Sequence, residues 1–106
     1  MTFQHTYTAH QPERSDIDAM PGPVVLEFGT GWCGFCQAAQ PLLREVLEAR
    51  EDVQHLKVED GPGRPLGRSF KVKLWPTLVF LRDGIEVARV VRPQSSVEVE
   101  IALRDV

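Results

Sequence analysis

Basic clusters are missing from this chain of 106 residues, in which 12 Lys and Arg stand against 15 Asp and Glu for a formal net charge of -3. With no local run of basic residues to offset that balance, a phosphate backbone finds no electrostatic footprint, and nucleic acid is excluded as an expected partner. Long hydrophobic runs are missing too. No stretch of ~18 apolar residues suggests a membrane span. The amino-terminal sequence MTFQHTYTAHQPERSD lacks the positive and apolar regions of a secretory signal. The expectation is a soluble, cytoplasmic, monomeric protein that avoids membranes. Neither internal repeats nor low-complexity segments occur, and 42% hydrophobic with 25% charged residues is ordinary globular composition. A chain of this length closes one core, so residues 1–106 are expected to form one domain.

Soft metal ligands are scarce. The two cysteines, Cys33 and Cys36, form one C-x2-C pair, and the three histidines, His5, His10 and His55, do not have the spacing of a second pair. A structural zinc needs four ligands, so no metal is expected. As a covalent staple the cysteine pair is also poor. A closed loop of about four residues gives only about 2 kcal/mol in the loop-entropy picture, before strain is subtracted.

The surroundings of the pair are more informative. Val24 to Phe28 is an almost unbroken apolar run of the kind buried on both faces of a sheet. From Gly34 to Arg50, Phe35, Ala39, Leu42, Leu43, Val46 and Leu47 recur at helical spacing, and Pro41 inside that pattern predicts a kink. Before them, Phe3 to Thr8 is a weak strand and Pro12 to Met20 a short helix. After them, Val53 to Val58 reads as a strand and Pro65 to Phe70 as a short helix. Thr77 to Leu81 and Ile85 to Val91 form a hairpin across Asp83-Gly84, a pair suited to the positive φ angles of a type I′ turn. Ser95 and Glu98 have capping-box spacing for a last helix.

Cys33 therefore follows a buried strand and opens a helix, where free backbone N–H groups and the helix dipole favour a thiolate over a thiol. That makes Cys33 the nucleophile of a redox pair. Cys36, one turn further into the helix, is the resolving thiol.

With FGTGWCGFCQAAQP between a strand and a proline-containing helix, the chain resembles the thioredoxin family over nearly its whole length. Trp32, Cys33, Gly34 and Cys36 match the family's W-C-G-P-C, with Phe35 in place of proline. Pro41, Trp75-Pro76-Thr77 and Asp83-Gly84 match its helix proline, cis-proline segment and hairpin. The resemblance implies an α/β fold with a central mixed five-stranded sheet flanked by helices. It also implies reduction of protein disulfides by a Cys33/Cys36 couple, with electrons from NADPH through a thioredoxin-reductase-like enzyme and no bound cofactor. Glu27 falls where the family has a buried Asp, and desolvation is expected to raise its pKa and suit it to take a proton from Cys36. Lys57 matches the family's strand lysine and would pair with Glu27. Trp32, Gly34, Phe35, Trp75 and cis Pro76 are implied as the substrate surface, with substrate pairing to the backbone of the residue before Pro76.

The match has departures. Phe35 adds an N–H near the Cys33 thiolate, which would stabilise the reduced form. Gly29 stands where many members have a second tryptophan, Trp75 is large for its place, and Arg92-Pro93 occupies a place where glycine is expected. Two alternatives to a reductase stand beside it: a disulfide isomerase or oxidant, and a redox-sensing or partner-binding module on the same fold.

Overall fold

The structure, a computed structural model, describes residues 3–106. The elements run α1 (Arg14–Asp18), β1 (Pro23–Gly29), α2 (Gly34–Leu47), β2 (Gln54–Glu59), α3 (Pro65–Ser69), β3 (Thr77–Arg82), β4 (Ile85–Val91) and α4 (Ser96–Leu103). The four strands form one mixed sheet in the order β2-β1-β3-β4, with β1 parallel to β2 and the other neighbours antiparallel.

Helices cover both faces, which explains the unbroken apolar run of β1. Val25, Leu78 and Phe80 pack with Ala39, Leu43 and Leu47 of α2 and Val99 and Leu103 of α4. On the opposite face, Val24, Leu26 and Phe28 pack with Ile17, Leu66 and Phe70. Because side chains alternate along a strand, Glu27 shares the α2 face with Val25. The register pairs Val25 with His55 and Glu27 with Lys57, so three polar side chains are carried to the same face.

Helix α2 runs through Pro41 without ending. It stops at Leu47 rather than Arg50, and the chain beyond continues in tighter bonds from Ala49 N to Val46 O and Arg50 N to Leu47 O. Both central residues of the hairpin turn have positive φ, 51° at Asp83 and 80° at Gly84. The Ser95–Glu98 capping box is formed in both directions.

The expected fifth strand is corrected. Phe3 to Thr8 runs beside β2 but contributes only an isolated bridge, Thr8 to Val58. Side chains occupy its backbone instead of a ladder: Gln4 N–H donates to His55 Nδ1 at 2.9 Å, and Lys57 Nζ donates to His5 O at 3.2 Å. No helix among the described residues is long and apolar enough to cross a membrane.

Candidate active site

Cys33 is the N-cap of α2, with extended backbone, and its Sγ accepts a hydrogen bond from Cys36 N–H at 3.3 Å. The donor proposed for Phe35 is thus corrected: the N–H that reaches the sulfur comes from Cys36, a full turn into the helix. Cys33 is 8% exposed and Cys36 only 1%, so an outside disulfide meets Cys33 first. Burial, then the bond with Cys33, pushes the Cys36 thiol up to about 11, against the lowering influence of the Thr30 backbone and the Tyr7 hydroxyl. At neutral pH Cys36 is therefore a thiol whose proton must be taken before it can attack.

Behind Cys36 lies a buried polar cluster centred on Glu27, whose side chain has no exposure at all. His55 Nε2 donates to Oε1 at 2.9 Å, while Gln40 Nε2 at 3.0 Å and the Tyr7 hydroxyl donate to Oε2. Since Gln4 N–H occupies His55 Nδ1, the network places a proton on Nε2, which donates to the carboxylate. The expectation that burial raises the Glu27 pKa is corrected by these partners. Burial alone pushes it up, but the hydrogen bond and electrostatic contact with His55, the Lys57 charge and the Tyr7 hydroxyl outweigh burial and leave it below its ordinary value.

Lys57 does not touch Glu27 directly, which corrects the expected pairing. Its Nζ donates to Gln40 Oε1 at 2.5 Å, and Gln40 passes the contact on to the carboxylate. Burial lowers the Lys57 pKa, opposed by the nearby Glu27 carboxylate and by Cys36 once that thiol ionises. The ammonium also lies 4.6 Å from the Tyr7 ring centroid.

Outside, Trp32 is 76% exposed and meets Trp75 edge to face at 5.8 Å between ring centroids. The Trp75 indole is held by Nε1 donating to Asp60 Oδ2 at 2.9 Å. Phe35 is exposed, with the Arg92 guanidinium 3.8 Å over its ring. Gly34 faces open space, and the Trp75–Pro76 bond is cis. The sequence-predicted residues thus divide into a buried group, Glu27, Lys57 and Cys36, and a surface group around Trp32, Phe35 and Trp75.

Sequence reasoning missed Tyr7, Gln40 and His55. Two of them carried a signal: Gln40 is four residues after Cys36 and so on the same helix face, and His55 is two before Lys57 and so on the same strand face.

The comparisons with known proteins agree with this geometry. The thioredoxin family profile matches residues 5–104. Thioredoxin from Mycobacterium tuberculosis is 30% identical over 93 residues, covering 87% of this chain and 80% of that protein. Thioredoxin H2-1 from Oryza sativa subsp. japonica is 37% identical over 68 residues, 64% of this chain, and that segment spans 49% of the rice protein's length. For thioredoxin H-type 1 from Nicotiana tabacum the share is 54%, so this chain spans about half the length of these curated relatives. Among solved structures, reduced thioredoxin 2 from Pseudomonas aeruginosa PAO1 superposes with a TM-score of 0.84 and 63% identity, covering 94% of this chain and 93% of that one. Similarity sustained from one end of the fold to the other, and not confined to the cysteine pair, means that this chain belongs to the thioredoxin family.

Proposed function

We propose that this chain is a protein-disulfide reductase working through Cys33 and Cys36 as a reversible dithiol–disulfide couple. The observation that carries the reading is the unequal placement of the two thiols: Cys33 sits at the helix N-cap within reach of a partner, and Cys36 is sealed behind it one turn away. The Cys33 thiolate attacks a substrate disulfide, forming a mixed disulfide and expelling one substrate thiolate. Cys36 then attacks Cys33 Sγ, the second substrate sulfur leaves with the electron pair, and the protein is left as the Cys33–Cys36 disulfide. Glu27 stays ionised at neutral pH and is thus free to accept the Cys36 proton, as a weaker base than burial alone would make it.

Substrate docks across Trp32, Gly34, Phe35, Trp75 and Pro76, adding an extended segment beside the backbone that precedes Pro76. Lys57 acts through Gln40 to hold the carboxylate in place. Electrons come from NADPH through a thioredoxin-reductase-like flavoenzyme, and the protein works as a single-domain monomer in the cytoplasm.

Insulin reduction driven by a small dithiol tests the activity, and Cys33→Ser is expected to abolish turnover. Equilibration in defined dithiol buffers gives the potential of the couple. A value near about -270 mV supports the reductase, whereas about -180 to -120 mV would favour an isomerase or oxidant. A chain with no reversible couple that still holds a protein partner after Cys33→Ser would instead be a binding module.

A further inference from the structure

We propose that the Tyr7 hydroxyl is a catalytic group that relays the Cys36 proton to Glu27 during resolution of the mixed disulfide. This rests on the reductase reading above and adds the atom through which the proton passes.

Three observations place Tyr7 on that path. Its hydroxyl donates to Glu27 Oε2, so its oxygen lone pairs are left to accept from a second group. The nearest such group is Cys36, whose thiol shares a hollow with the hydroxyl, and each influences the ionisation of the other. The hollow they share is formed by Gly29: a Cβ there would lie 2.6 Å from both Cys36 Sγ and the Tyr7 hydroxyl oxygen. The carboxylate has no such link of its own to the thiol. Among the described residues its Oε1 is taken by His55 and its Oε2 by Gln40 and Tyr7, and no hydrogen bond joins it directly to Cys36.

In the step, the Cys36 S–H proton moves to the Tyr7 oxygen as the Tyr7 proton moves to Glu27 Oε2. Cys36 Sγ attacks Cys33 Sγ, the Cys33–Cys36 bond forms, and the bond from Cys33 to the substrate sulfur breaks. The electron pair leaves on the substrate thiolate, which takes a proton from water. The cysteine pair is oxidised by two electrons and the substrate disulfide is reduced by two. Tyr7 ends as it began, a neutral phenol, consistent with the upward push on its pKa from burial and from Glu27. Glu27 then loses its proton toward a cleft of about 370 Å³ that Tyr7, Thr30, Cys36, Gln40 and Lys57 help to line.

The titratable groups around Cys36 are Cys33 at the start of its own helix, His5 and Tyr7 from the amino-terminal segment, Glu27 on β1 with His55 behind it, and Lys57 and Glu59 on β2 at the cleft. Of these, Tyr7 is the one that is bonded to the carboxylate and shares the Gly29 hollow with the thiol.

The test is a single turnover with a chromogenic aromatic disulfide, in which the first coloured thiolate reports attack by Cys33 and the second reports resolution by Cys36. For Tyr7→Phe the first phase is expected to be unchanged and the second to slow about 10- to 100-fold at neutral pH. The slowed phase should climb about tenfold per pH unit toward the Cys36 ionisation, while the unaltered chain stays nearly flat. A second phase at the original rate, a slowing that does not depend on pH, or equal slowing of both phases overturns the relay. Should Tyr7→Phe not fold, the unaltered chain is read in mixed light and heavy water: a curved dependence of the second phase fits two protons moving together, and a linear one overturns the proposal. Absence of a second coloured thiolate from the unaltered chain would count against the dithiol reading itself, a result distinct from failure of the relay.

Discussion

Arg92 Nε donates to the carbonyl oxygen of Trp75 at 2.8 Å, so the backbone acceptor just ahead of Pro76 is occupied by the protein's own side chain. Arg92 adopts a φ of 49°, its N–H bonds Pro76 O at 3.0 Å, and its guanidinium is stacked on Phe35. An extended substrate pairing with this backbone has to displace that donor. Arg92→Ala is expected to lower KM for a peptide disulfide about 2- to 10-fold, the equivalent of about 0.5–1.5 kcal/mol for one hydrogen bond, with kcat unchanged. An unchanged KM would mean that substrate does not use the Trp75 carbonyl.

Acid should weaken the fold through Glu27. Burial raises its pKa, but its hydrogen bonds, the electrostatic contact with His55 and the Lys57 charge together lower it by more, so the folded value lies below the ordinary 4.5. The resulting stabilisation is fully present above pH 4.5 and is lost as pH falls through the folded value. Urea unfolding at stepped pH should show this acid loss in the unaltered chain and a shallower one in Glu27→Gln. Equal acid slopes would show that the carboxylate gains nothing from its donors.

Alkali should act through Cys36 in the reduced protein. Its folded pKa is raised, from an ordinary 9.0 to about 11, so its contribution is whole below pH 9.0 and disappears as pH rises through about 11. The size is on the order of 3 kcal/mol, at about 1.36 kcal/mol per pKa unit. Comparing unfolding of the reduced chain with Cys36→Ser isolates that part from the titrations of Tyr7 and Lys57. Coincident alkaline profiles would contradict the raised value.

At the hairpin turn, Gly84 has a φ of 80°, and an added Cβ would come within 1.9 Å of the Asp18 carbonyl oxygen at the end of α1. Strain from a side chain at positive φ alone costs about 1–3 kcal/mol, and here the neighbour is backbone that cannot swing aside. Gly84→Ala is expected to lower the urea midpoint accordingly while leaving the reduction potential of the Cys33–Cys36 couple unchanged. A midpoint equal to that of the unaltered chain would mean that the turn moves away from α1.

How far the sequence could be read follows from the range over which each signal acts. The two thiols, the helix they open and the Asp83-Gly84 turn are specified by neighbours in the chain, and each was legible. Glu27 was legible as a buried carboxylate, since a sheet covered on both faces leaves it no route to water. Its acidity was not, because the sign depends on donors brought from afar: Tyr7 is 20 residues distant, His55 28 and Gln40 13. The amino-terminal segment misled for the same reason. Its aromatic and Thr residues resemble a strand, yet its backbone is claimed by His55 and Lys57, whose positions only the assembled sheet defines. Arg92 was visible as a departure from glycine, but its hydrogen bond to Trp75 required two segments to meet.

Gly29 gives the cluster a lineage constraint. The family tryptophan absent from this position and the phenol present at Tyr7 compete for one volume, since even a methyl group on residue 29 would overlap the hydroxyl oxygen and the Cys36 sulfur together. A descendant of this chain cannot enlarge residue 29 and retain Tyr7 where it is. The two positions, distant in sequence, therefore share one volume, and a larger residue at 29 requires the Tyr7 ring to move.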